Sequence, residues 1–399
     1  MKVGYLVPEF PGQTHAFFWR EIRALEELGA EIRLISTRKP PADACPHAFR
    51  EAAVARTTYL FPPEPGAMAS AIARSPQGVV RALRYAARLS ASGPREVAKN
   101  LGLVAVAATL RSLAARAGLD HVHIHSCANS ANIGAMARLM GGPSYSLTLH
   151  GGLSVYGSDH AMKFAGASFV SAVTRPLAAE IAAVAPALRA PVIMMGVDTD
   201  EFRPPEHAAE RPVGAPFRIV SIARLNMTKG HRFLLRAMAE LAARAPQLAI
   251  EYRIVGEGPA RDQIAAEIAA LGLTATARLD GSKSEDEVRA ILGTADALAL
   301  TSVGQGEAAP VAVMEAMAMG LPVIVSRIGG TPDMIVDRVD GLLVPQEDVG
   351  AIAGAIEFLA TDPAAAAAMR QAARQAAIAR FDYRANAAKL WHEITSDGR

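Results

Sequence analysis

Residues 304–330 read GQGEAAPVAVMEAMAMGLPVIVSRIGG, which combines a glycine-rich loop, an apolar helix and a buried strand. Pro310 favours the start of the helix, because proline suits a first helical turn and keeps the preceding residue out of the α region. Glu307 therefore lies in the loop, and Glu315 projects from the second helical turn. The unpaired backbone N–H groups between the two acids belong to Ala308, Ala309, Val311 and Ala312. A helix N-terminus of this kind attracts anions and hydroxyls, so the stretch suits a ligand that carries phosphate and several hydroxyl groups.

Short apolar runs alternate with helical patterns along almost the whole chain. The first series of predicted strands covers residues 3–7, 31–36, 121–125, 144–149 and 169–173. The second covers residues 218–223, 249–255, 277–279, 297–301, 322–325 and 341–344. This alternation predicts an α/β fold with two doubly wound, Rossmann-like domains, each a parallel sheet with helices on both faces. Because ligands bind at the carboxyl ends of the strands, two facing domains would share a central cleft.

A segment rich in proline and charge, residues 196–216, separates the two series and is interpreted as an interdomain linker. We place one domain at residues 1–203 and the other at residues 204–381. The tail from residue 363 is predicted to be helical, because residues 364–368 are all alanine. Phe381 and Trp391 in its polar last segment suggest that the tail docks onto the protein.

Size and composition exclude several classes of protein. A chain of 399 residues with 51% apolar residues is long enough for two or three domains with full cores. A net charge of +2 argues against general nucleic-acid binding. Cys45 and Cys127 cannot build a disulfide framework or a zinc cluster, which favours a reducing, cytoplasmic setting. The first apolar run is too short for a signal peptide, and no uninterrupted apolar run reaches the roughly 18–20 residues that cross a bilayer.

Two cations follow the predicted strand at residues 218–223. Arg224 offers a rigid bidentate fork and Lys229 a mobile point charge, so together they suit a diphosphate. Each charge-assisted hydrogen bond contributes about 1.5–3 kcal/mol. A solvated surface turn is the alternative interpretation of the same residues.

With these features in order, the chain resembles the retaining glycosyltransferases of family 4, which have the GT-B fold. In that family two glutamates separated by seven residues line the donor site, and Glu307 and Glu315 match this spacing. The resemblance continues through EAMAMGLPVIVS at residues 315–326, GGTPD at 329–333 and DGLLV at 340–344. Residues 11–32, PGQTHAFFWREIRALEELGAEI, are similar to the start of exopolysaccharide-type members.

The resemblance implies a role for each candidate residue of the second domain, which would be the nucleotide-sugar donor domain. Arg224 and Lys229 would neutralise the donor diphosphate without a metal or any cofactor. Glu315 would take the ribose hydroxyls, while Glu307 would grip the sugar ring together with the amides of Ala308, Ala309 and Val311. The segment at residues 281–284, which includes Lys283, would recognise an edge of the base.

The first domain would be the acceptor side, joined by a final helix at residues 382–399 that crosses back to it. Gly12 would lie near the diphosphate, because a glycine lets backbone approach a ligand closely. His150, at the carboxyl end of the predicted strand at 144–149, would touch the donor sugar and steady developing positive charge through its backbone carbonyl. His15 is expected to be an ordinary capping or packing histidine.

Two other patterns could indicate metal binding. Asp198-Thr199-Asp200 spells the D-x-D of metal-using glycosyltransferases, but its surroundings resemble the hinge before the second domain. His121, His123 and His125 alternate along one strand and so face the same side, as zinc ligands could. The resembled family often has histidines there without a metal, and only His125 lies near enough to the strand end to reach a pocket. We expect no metal at either place.

Residues 68–119 are rich in arginine. Their cations are Arg74, Arg81, Arg84, Arg88, Arg95, Lys99, Arg111 and Arg116, and Glu96 is their only acid. A solvated helix face is the default interpretation of such charges. Basic amphipathic helices can also lie on anionic membranes, which would bring a lipid-linked acceptor to the enzyme.

The sequence therefore predicts a retaining glycosyltransferase that transfers a sugar from a nucleotide diphosphate sugar to a carbohydrate, lipid-linked or small-molecule acceptor in polysaccharide or glycoconjugate biosynthesis. UDP is the preferred nucleotide, with a hexose or N-acetylhexosamine as the sugar. Ala308 stands where the family often has glycine, which leaves the sugar itself open. We expect a cytoplasmic location, including the inner face of the membrane. The alternatives are a nucleotide-sugar epimerase of the same fold and a non-catalytic sugar-binding protein; a nicotinamide oxidoreductase would need a complete glycine fingerprint, which GEGP at 256–259 does not supply.

Overall fold

The computed structural model describes residues 1–12, 15–41, 44–45, 47–205, 214–304 and 307–396. Four sequence predictions fall partly outside these residues: the first loop at Gln13 and Thr14, the linker at 206–213, the signature loop at Gln305 and Gly306, and the last helix at 397–399. The chain divides into two units. Unit 1 comprises Met1–Met194 together with the chain from Arg384 onward, and unit 2 comprises Met195–Tyr383.

Unit 1 is built on one parallel sheet with the strand order β3-β2-β1-β4-β5-β6. Its strands are β1 (Lys2–Glu9), β2 (Glu31–Arg38), β3 (Thr58–Tyr59), β4 (His121–Ile124), β5 (Ser144–Leu149) and β6 (Val170–Ala172). Its helices are α1 (Ala16–Glu27), α2 (Arg50–Arg56), α3 (Ala67–Arg74), α4 (Pro76–Arg88), α5 (Pro94–Ala117), α6 (Asn129–Leu139), α7 (His160–Phe164) and α8 (Arg175–Val184), with a 3₁₀ turn at Leu153–Tyr156. The central strand β1 buries five consecutive residues, as a parallel strand covered on both faces does.

Unit 2 repeats this plan with the strand order β12-β11-β10-β7-β8-β9. Its strands are β7 (Phe217–Ile222), β8 (Ile250–Val255), β9 (Ala277–Gly281), β10 (Ala297–Leu300), β11 (Val323–Ser326) and β12 (Leu342–Val344). Its helices are α9 (His231–Arg244), α10 (Arg261–Ala270), α11 (Glu285–Thr294), α12 (Val311–Ala318), α13 (Thr331–Met334), α14 (Val349–Thr361) and α15 (Pro363–Phe381), with a 3₁₀ turn at Met227–Lys229. The order places β10 directly beside β7, so the loops that follow these two strands share one edge of the sheet.

The predicted fold class is confirmed: both sheets are parallel, six-stranded and accompanied by helices. The eleven predicted strands all form, and the one at residues 144–149 has the predicted bounds. Strand β3 was missed, because two residues are too few to produce a periodic pattern. Apolar residues located the others, in continuous runs such as ALAL in β10 or at alternate positions as in SYSLTL of β5.

The described part of the predicted linker is tied into unit 2. Val197 N–H donates to the carbonyl of Phe381 at 2.8 Å, and Tyr383 N–H donates to the carbonyl of Val197 at 3.2 Å. Val197 and Asp382 form an isolated parallel bridge. Backbone pairing therefore holds the described part of the linker at Val197.

The helical tail is two helices. Helix α15 ends at Phe381, and α16 (Tyr383–Ser396) follows after Asp382, whose extended backbone (φ −63°, ψ 124°) breaks the helix. Phe381 is fully buried, and Trp391 is half-buried. From Arg384 onward the chain belongs to unit 1, where Arg189 Nη1 lies 2.8 Å from Glu393 Oε2.

Candidate active site

The turn after β7 and the loop after β10 pack against each other in unit 2. Val303 N–H donates to the carbonyl of Thr228 at 2.8 Å, and Thr301 Oγ1 donates to the carbonyl of Gly230 at 3.0 Å. Gly230 has φ +68°, and a Cβ atom there would lie 1.8 Å from the carbonyl oxygen of Thr301. Glycine is needed both for this backbone conformation and for the close approach. A side chain at position 230 would therefore prevent the two loops from packing this closely.

This packing brings Lys229 and Glu307 together. Lys229 ends the 3₁₀ turn, and its N–H donates to Asn226 Oδ1 at 3.1 Å. Lys229 Nζ forms an ion pair with Glu307 Oε1, which also accepts a hydrogen bond from Ser302 Oγ at 2.8 Å. The two side chains are only 21% and 8% exposed. The cation expected to bind diphosphate and the carboxylate expected to grip the sugar are thus partners of each other, and sequence reasoning missed both this pairing and the role of Ser302.

Helix α12 begins close to this pair. Pro310 is its N-cap residue, in an extended conformation (φ −67°, ψ 118°), rather than a residue of the first turn. Glu315 lies in the second turn, where the sequence placed it, and is half-buried. Within the part of the chain that the structure describes, no acceptor is recorded for the N–H groups of Ala308, Ala309, Val311 and Ala312. The helix start therefore has N–H donors, close in sequence to Glu307, for which the described residues supply no acceptor; such donors attract anions.

A second glycine supports the backbone of Glu307. Gly329 has φ +52°, and a Cβ atom there would lie 1.7 Å from the carbonyl oxygen of Glu307. The next residue, Gly330, donates its N–H to the same oxygen at 3.3 Å. The two glycines at 329 and 330 therefore let the chain after β11 pack directly against the backbone of Glu307.

Arg224 and Lys283 do not take part in the contact between Lys229 and Glu307. Arg224 follows β7 and is exposed, and no partner of its side chain is recorded among the described residues. Lys283 lies between β9 and α11, with Nζ 3.1 Å from Glu287 Oε1. Ser284 and Glu287 form a capping box at the start of α11. The structure thus joins Lys229 to Glu307, while it pairs Lys283 within its own turn.

In unit 1, His150 lies just beyond β5 against the aromatic residues of α1. Its ring centroid is 5.4 Å from that of Phe17 and 5.3 Å from that of Phe18. Its Nε2 lies 3.2 Å from His125 Nδ1. Burial, and secondarily the neighbouring His125, lowers the pKa of His150 well below its ordinary value, so the ring is neutral. Its Nδ1 is buried without a hydrogen-bond partner among the residues described.

Gly12 lies at the described end of the loop after β1. A Cβ atom on Gly12 would lie 2.9 Å from the ring of His15, so this imidazole occupies the space beside the glycine. His15 stacks on Phe10 with ring centroids 5.8 Å apart, and burial lowers its pKa to about 4. His15 is thus a packing residue, and the contact of Gly12 with a diphosphate stays a prediction.

The D-x-D stretch forms a structural turn. Asp198 is buried, and its Oδ1 accepts hydrogen bonds from the N–H groups of Asp200 at 3.0 Å and Glu201 at 3.1 Å. Thr199 Oγ1 donates to Asp382 Oδ2 at 2.9 Å. These contacts support the interpretation of the stretch as part of the hinge segment.

The histidines of β4 bond to the neighbouring strand. Both ring nitrogens of His121 and of His123 lie 2.7–2.8 Å from hydroxyl oxygens of Ser144, Ser146 and Thr148 on β5. Burial lowers the pKa of His123 well below its ordinary value. Within the described ranges, no group of three or more histidine, cysteine, aspartate or glutamate side chains is placed to hold a metal ion.

The arginine-rich segment folds into α3, α4 and α5, and two of its cations have structural roles. Arg111 is buried and donates from Nε to the carbonyl of Met140 at 2.8 Å, and Arg116 pairs with Glu64 at 2.8 Å. The remaining cations are exposed and are called the basic surface below: Arg74, Arg81, Arg84, Arg88, Arg95 and Lys99.

By length and composition alone, α5 could span a membrane, although 50% of its most apolar window is buried inside the fold. Helices α14 and α15 meet the same test only as a pair, and they are bent by 101°. A buried core helix satisfies this test as readily as a membrane helix, and α5 packs against α3, α4 and α6.

Comparisons with known proteins give a consistent result. The family described as Glycosyl transferases group 1 matches residues 202–376. A colanic acid biosynthesis glycosyltransferase, WcaL of Salmonella typhimurium, is 27% identical over 390 residues, which cover 91% of each chain. The amylovoran biosynthesis glycosyltransferase AmsK of Erwinia amylovora is 28% identical, covering 88% of this chain and 89% of its own. A GDP-mannose-dependent phosphatidylinositol monomannoside mannosyltransferase of Mycolicibacterium smegmatis is 32% identical but covers only 56% of this chain and 60% of its own.

Solved structures support the fold. Anabaena Alr3699/HepE in complex with UDP superposes with a TM-score of 0.75 at 17% identity, covering 99% of this chain and 100% of its own. The sucrose-phosphate synthase of Thermosynechococcus elongatus gives a TM-score of 0.73 at 20% identity, covering 99% of each chain. These likenesses show a GT-B fold, and the predicted resemblance to glycosyltransferases is confirmed.

Proposed function

We propose, on the premise that this chain carries a group 1 glycosyl transferase domain at residues 202–376, that it is a retaining hexosyltransferase acting on a nucleotide diphosphate sugar. The observation that carries this proposal is the Lys229–Glu307 pair beside the start of α12. This region combines a cation that can bind phosphate, a carboxylate that can accept hydrogen bonds from hydroxyls, and backbone N–H groups that can donate to ligand oxygens.

The donor diphosphate is held by Lys229 and Arg224. The Lys229 ammonium has three N–H donors, so its contact with Glu307 leaves others for phosphate oxygens. The exposed guanidinium of Arg224 adds a bidentate fork. Positive side chains preorganised where the leaving group gains charge replace a divalent metal in this proposal. EDTA should therefore leave transfer largely intact, and strong dependence on magnesium would contradict it.

The two glutamates hold the hydroxyl groups of the donor. Glu315, one turn into α12, accepts hydrogen bonds from the ribose. Glu307 accepts from the sugar ring, and the amides of Ala308, Ala309 and Val311 donate to ligand oxygens. His150 belongs to unit 1, and its contact with the sugar stays a prediction, as does a contact of Lys283 with the base.

Transfer proceeds with retention by substitution on one face of the sugar. No side chain among the candidate residues stands out as a covalent nucleophile, so a double displacement is not proposed. The bond from the anomeric carbon to the phosphate oxygen breaks, and a bond from that carbon to the acceptor oxygen forms on the same face. The leaving phosphate takes the proton of the acceptor hydroxyl.

The biological role that we propose is exopolysaccharide or glycoconjugate synthesis, supported by the names of WcaL and AmsK. A UDP-hexose or UDP-N-acetylhexosamine is the proposed donor, and a carbohydrate, lipid-linked or small-molecule hydroxyl is the acceptor. Since one relative is named for GDP-mannose, the test is a thermal-shift screen of UDP-, GDP- and ADP-sugars. A bound donor at a hundred times its Kd stabilises the protein by about 2.7 kcal/mol.

The hit from this screen is then incubated with acceptors, and the products are separated. A new glycoside with the anomeric configuration of the donor supports retaining transfer. An isomerised donor formed without acceptor would favour an epimerase instead. Binding without any turnover over a broad acceptor panel would favour a sugar-binding protein.

We also propose that the basic surface contacts anionic membranes at the inner face of a cytoplasmic membrane. On α4, Val80, Leu83, Arg84 and Arg88 are all exposed and lie on one helical face. The two apolar members are 46% and 42% exposed. Apolar side chains among cations are typical of helices that lie in the headgroup region.

Flotation with anionic and neutral liposomes tests this contact. The protein should float with anionic vesicles at low salt and detach at high salt, because such attraction is screened. The variant Arg84→Glu/Arg88→Glu should lose flotation. The control variant Arg261→Glu/Arg278→Glu makes the same charge change at residues of unit 2 that are not part of the basic surface, and it should keep flotation. Equal flotation of both variants would contradict the proposal.

A further inference from the structure

A line of hydrogen bonds runs through the core of unit 2, from β10 to the start of α9. Ser221 Oγ donates to the carbonyl of Ala299 at 2.5 Å, and Tyr252 Oη donates to Ser221 Oγ at 2.8 Å. His231 Nδ1 lies 2.8 Å from Tyr252 Oη. The three residues that contribute side chains are at most 3% exposed, so these contacts are shielded from bulk water.

The carbonyl at one end of this line fixes the direction of every proton in it. A carbonyl oxygen only accepts, so the single hydroxyl proton of Ser221 is directed to Ala299. The Ser221 oxygen then accepts the hydroxyl proton of Tyr252. Because Tyr252 has no second proton to give, the donor in the last contact is the N–H of His231 Nδ1.

His231 Nε2 is therefore the ring nitrogen that carries a lone pair. Burial, and secondarily the charge of Lys229, lowers the pKa of His231 to about 4. At neutral pH the ring is thus uncharged and has one donor and one acceptor nitrogen. The donor is used toward Tyr252, and Nε2 is a buried atom to which the described residues supply no donor. A buried acceptor of this kind calls for a hydrogen bond from a bound molecule.

A small cavity lies among the turn before α9, the start of α9, and α10. It leaves about 10 Å³ for the centre of a water molecule, which is close to the least volume that holds one water. Its polar lining side chains are those of Asn226, His231, Arg232, Gln263 and Glu267. Arg232 Nε, like His231 Nε2, is buried without a partner among the residues described. Two neighbouring lining residues therefore carry one unused acceptor and one unused donor.

We propose that this cavity binds one water molecule, which donates to His231 Nε2, accepts from Arg232 Nε and supports the turn that carries Lys229. Water is both donor and acceptor, so a single molecule satisfies both buried atoms. The guanidinium of Arg232 would repel a cation, and an ionised anion has no proton for His231 Nε2. Gln263 and Glu267 also line the cavity and carry oxygen atoms that can accept the second proton of the water.

The residues of this cavity stand on both sides of Lys229 along the chain. Asn226 Oδ1 accepts a hydrogen bond from the N–H of Lys229 at 3.1 Å, and His231 begins α9 directly after Gly230. A water bound to His231 and Arg232 would fix the end of the turn whose beginning Asn226 fixes. His231 and Arg232 are therefore positioning residues in this proposal. That the turn holds a donor diphosphate rests on the proposed function, whereas the water site does not.

The proton on His231 can be located by NMR of the full-length protein labelled with ¹⁵N in its histidine rings. Long-range ¹H–¹⁵N correlations distinguish the protonated ring nitrogen from the unprotonated one. The signals of His231 are those that disappear in the spectrum of His231→Gln. We expect the proton on Nδ1 in the wild-type protein, and a proton on Nε2 would overturn the proposal.

A crystal structure of the full-length protein, at a resolution that shows ordered waters, tests the water itself. A water within hydrogen-bond distance of both His231 Nε2 and Arg232 Nε is expected, and its absence would overturn the proposal. Arg232→Met keeps an unbranched side chain but removes the donor, so this variant should lose the water. Arg244→Met makes the same substitution at the exposed last residue of α9 and should keep it. A water that stays in Arg232→Met would overturn the assignment of Arg232 as its donor.

Hydrogen exchange tests the support of the turn without any need for activity. The amide of Lys229 should exchange about 3–10-fold faster in Arg232→Met, the effect of one lost net hydrogen bond, and at the wild-type rate in Arg244→Met. Equal exchange rates in the two variants would overturn the supporting role. Once a donor is known, kcat/KM should fall by a similar factor in Arg232→Met alone. A protein that shows the water and the exchange difference but transfers no sugar would leave this assignment standing and refute the proposed function instead.

Discussion

Replacing Lys229 with alanine tests the Lys229–Glu307 ion pair of unit 2 through two measurements, stability and activity. Glu307 is only 8% exposed, so the variant leaves its carboxylate with Ser302 as the sole recorded side-chain partner among the described residues. An under-satisfied buried group of this kind costs about 1–3 kcal/mol. For a domain of 150–250 residues, each kcal/mol corresponds to about 2–4 °C in Tm. We therefore expect a measurable loss of stability in a variant that still folds.

The expected loss of activity is larger than the loss of stability. Deleting one preorganised donor to a developing negative charge lowers kcat by about 10²–10³-fold. The donor Kd should also rise, since one charged hydrogen bond to the phosphate disappears. Calorimetry with the donor found by thermal shift measures the binding term, and a product assay at saturating donor measures kcat.

Two further variants separate the effects. Glu307→Gln in the Lys229→Ala background removes the unpaired charge, so it should restore part of the stability without restoring transfer. Arg236→Ala breaks an ion pair with Glu267 whose side chains are 51% and 20% exposed. This control should cost less than about 1 kcal/mol and leave transfer unchanged.

Two outcomes would refute the reasoning. Transfer by Lys229→Ala within a few-fold of the wild-type rate would show that the ammonium does not hold the leaving diphosphate. An unchanged unfolding free energy would show that the ion pair contributes nothing to the folded state.

Three further results are expected. Glu315→Ala should weaken nucleotide binding, measured by calorimetry, more than it lowers Tm, because the side chain is proposed to bind the ribose. Gly329→Ala should lower both Tm and transfer, because its Cβ would lie 1.7 Å from the carbonyl oxygen of Glu307; an unchanged Tm would contradict this. Burial lowers the pKa of His231 to about 4 from its ordinary 6.5. Between these two pH values the ring is therefore protonated in the unfolded chain but neutral in the folded protein. The unfolding free energy should be constant above pH 6.5 and fall toward pH 4, by at most about 1.4 kcal/mol per pH unit from this group, and urea unfolding of His231→Gln should show a smaller fall.

The sequence located most of the fold because its strands are short apolar runs separated by helices. At residues 144–149 the predicted strand and β5 have the same bounds, although Ser144, Ser146 and Thr148 alternate with the apolar residues there. The division of the tail into two helices was harder to predict. Residues 364–396 contain neither glycine nor proline, and the backbone pairing around Asp382 separates α15 from α16. Pairing of this kind is a tertiary effect that overrides local propensity.

The candidate site was predicted as separate residues but not as an arrangement. Lys229 and Glu307 are 78 positions apart, and their contact depends on β10 lying beside β7. Ser302 gave only a weak signal, a hydroxyl directly after a buried strand. Glu21 gave none, because an acid on an amphipathic helix usually faces solvent. Its contact with His125, at 3.2 Å between Glu21 Oε1 and His125 Nε2, is visible only in the folded protein.

The ion pair between Lys229 and Glu307 also has a consequence for turnover. In the proposed donor complex, Lys229 would bind the diphosphate while it keeps its contact with Glu307, and the sugar hydroxyls would bind the same acid. The nucleoside diphosphate that remains after transfer has no such hydroxyls, so under this proposal it would bind less tightly than the intact donor and leave more readily. The ion pair stays intact throughout, so the site would need no rearrangement of Lys229 before the next donor binds.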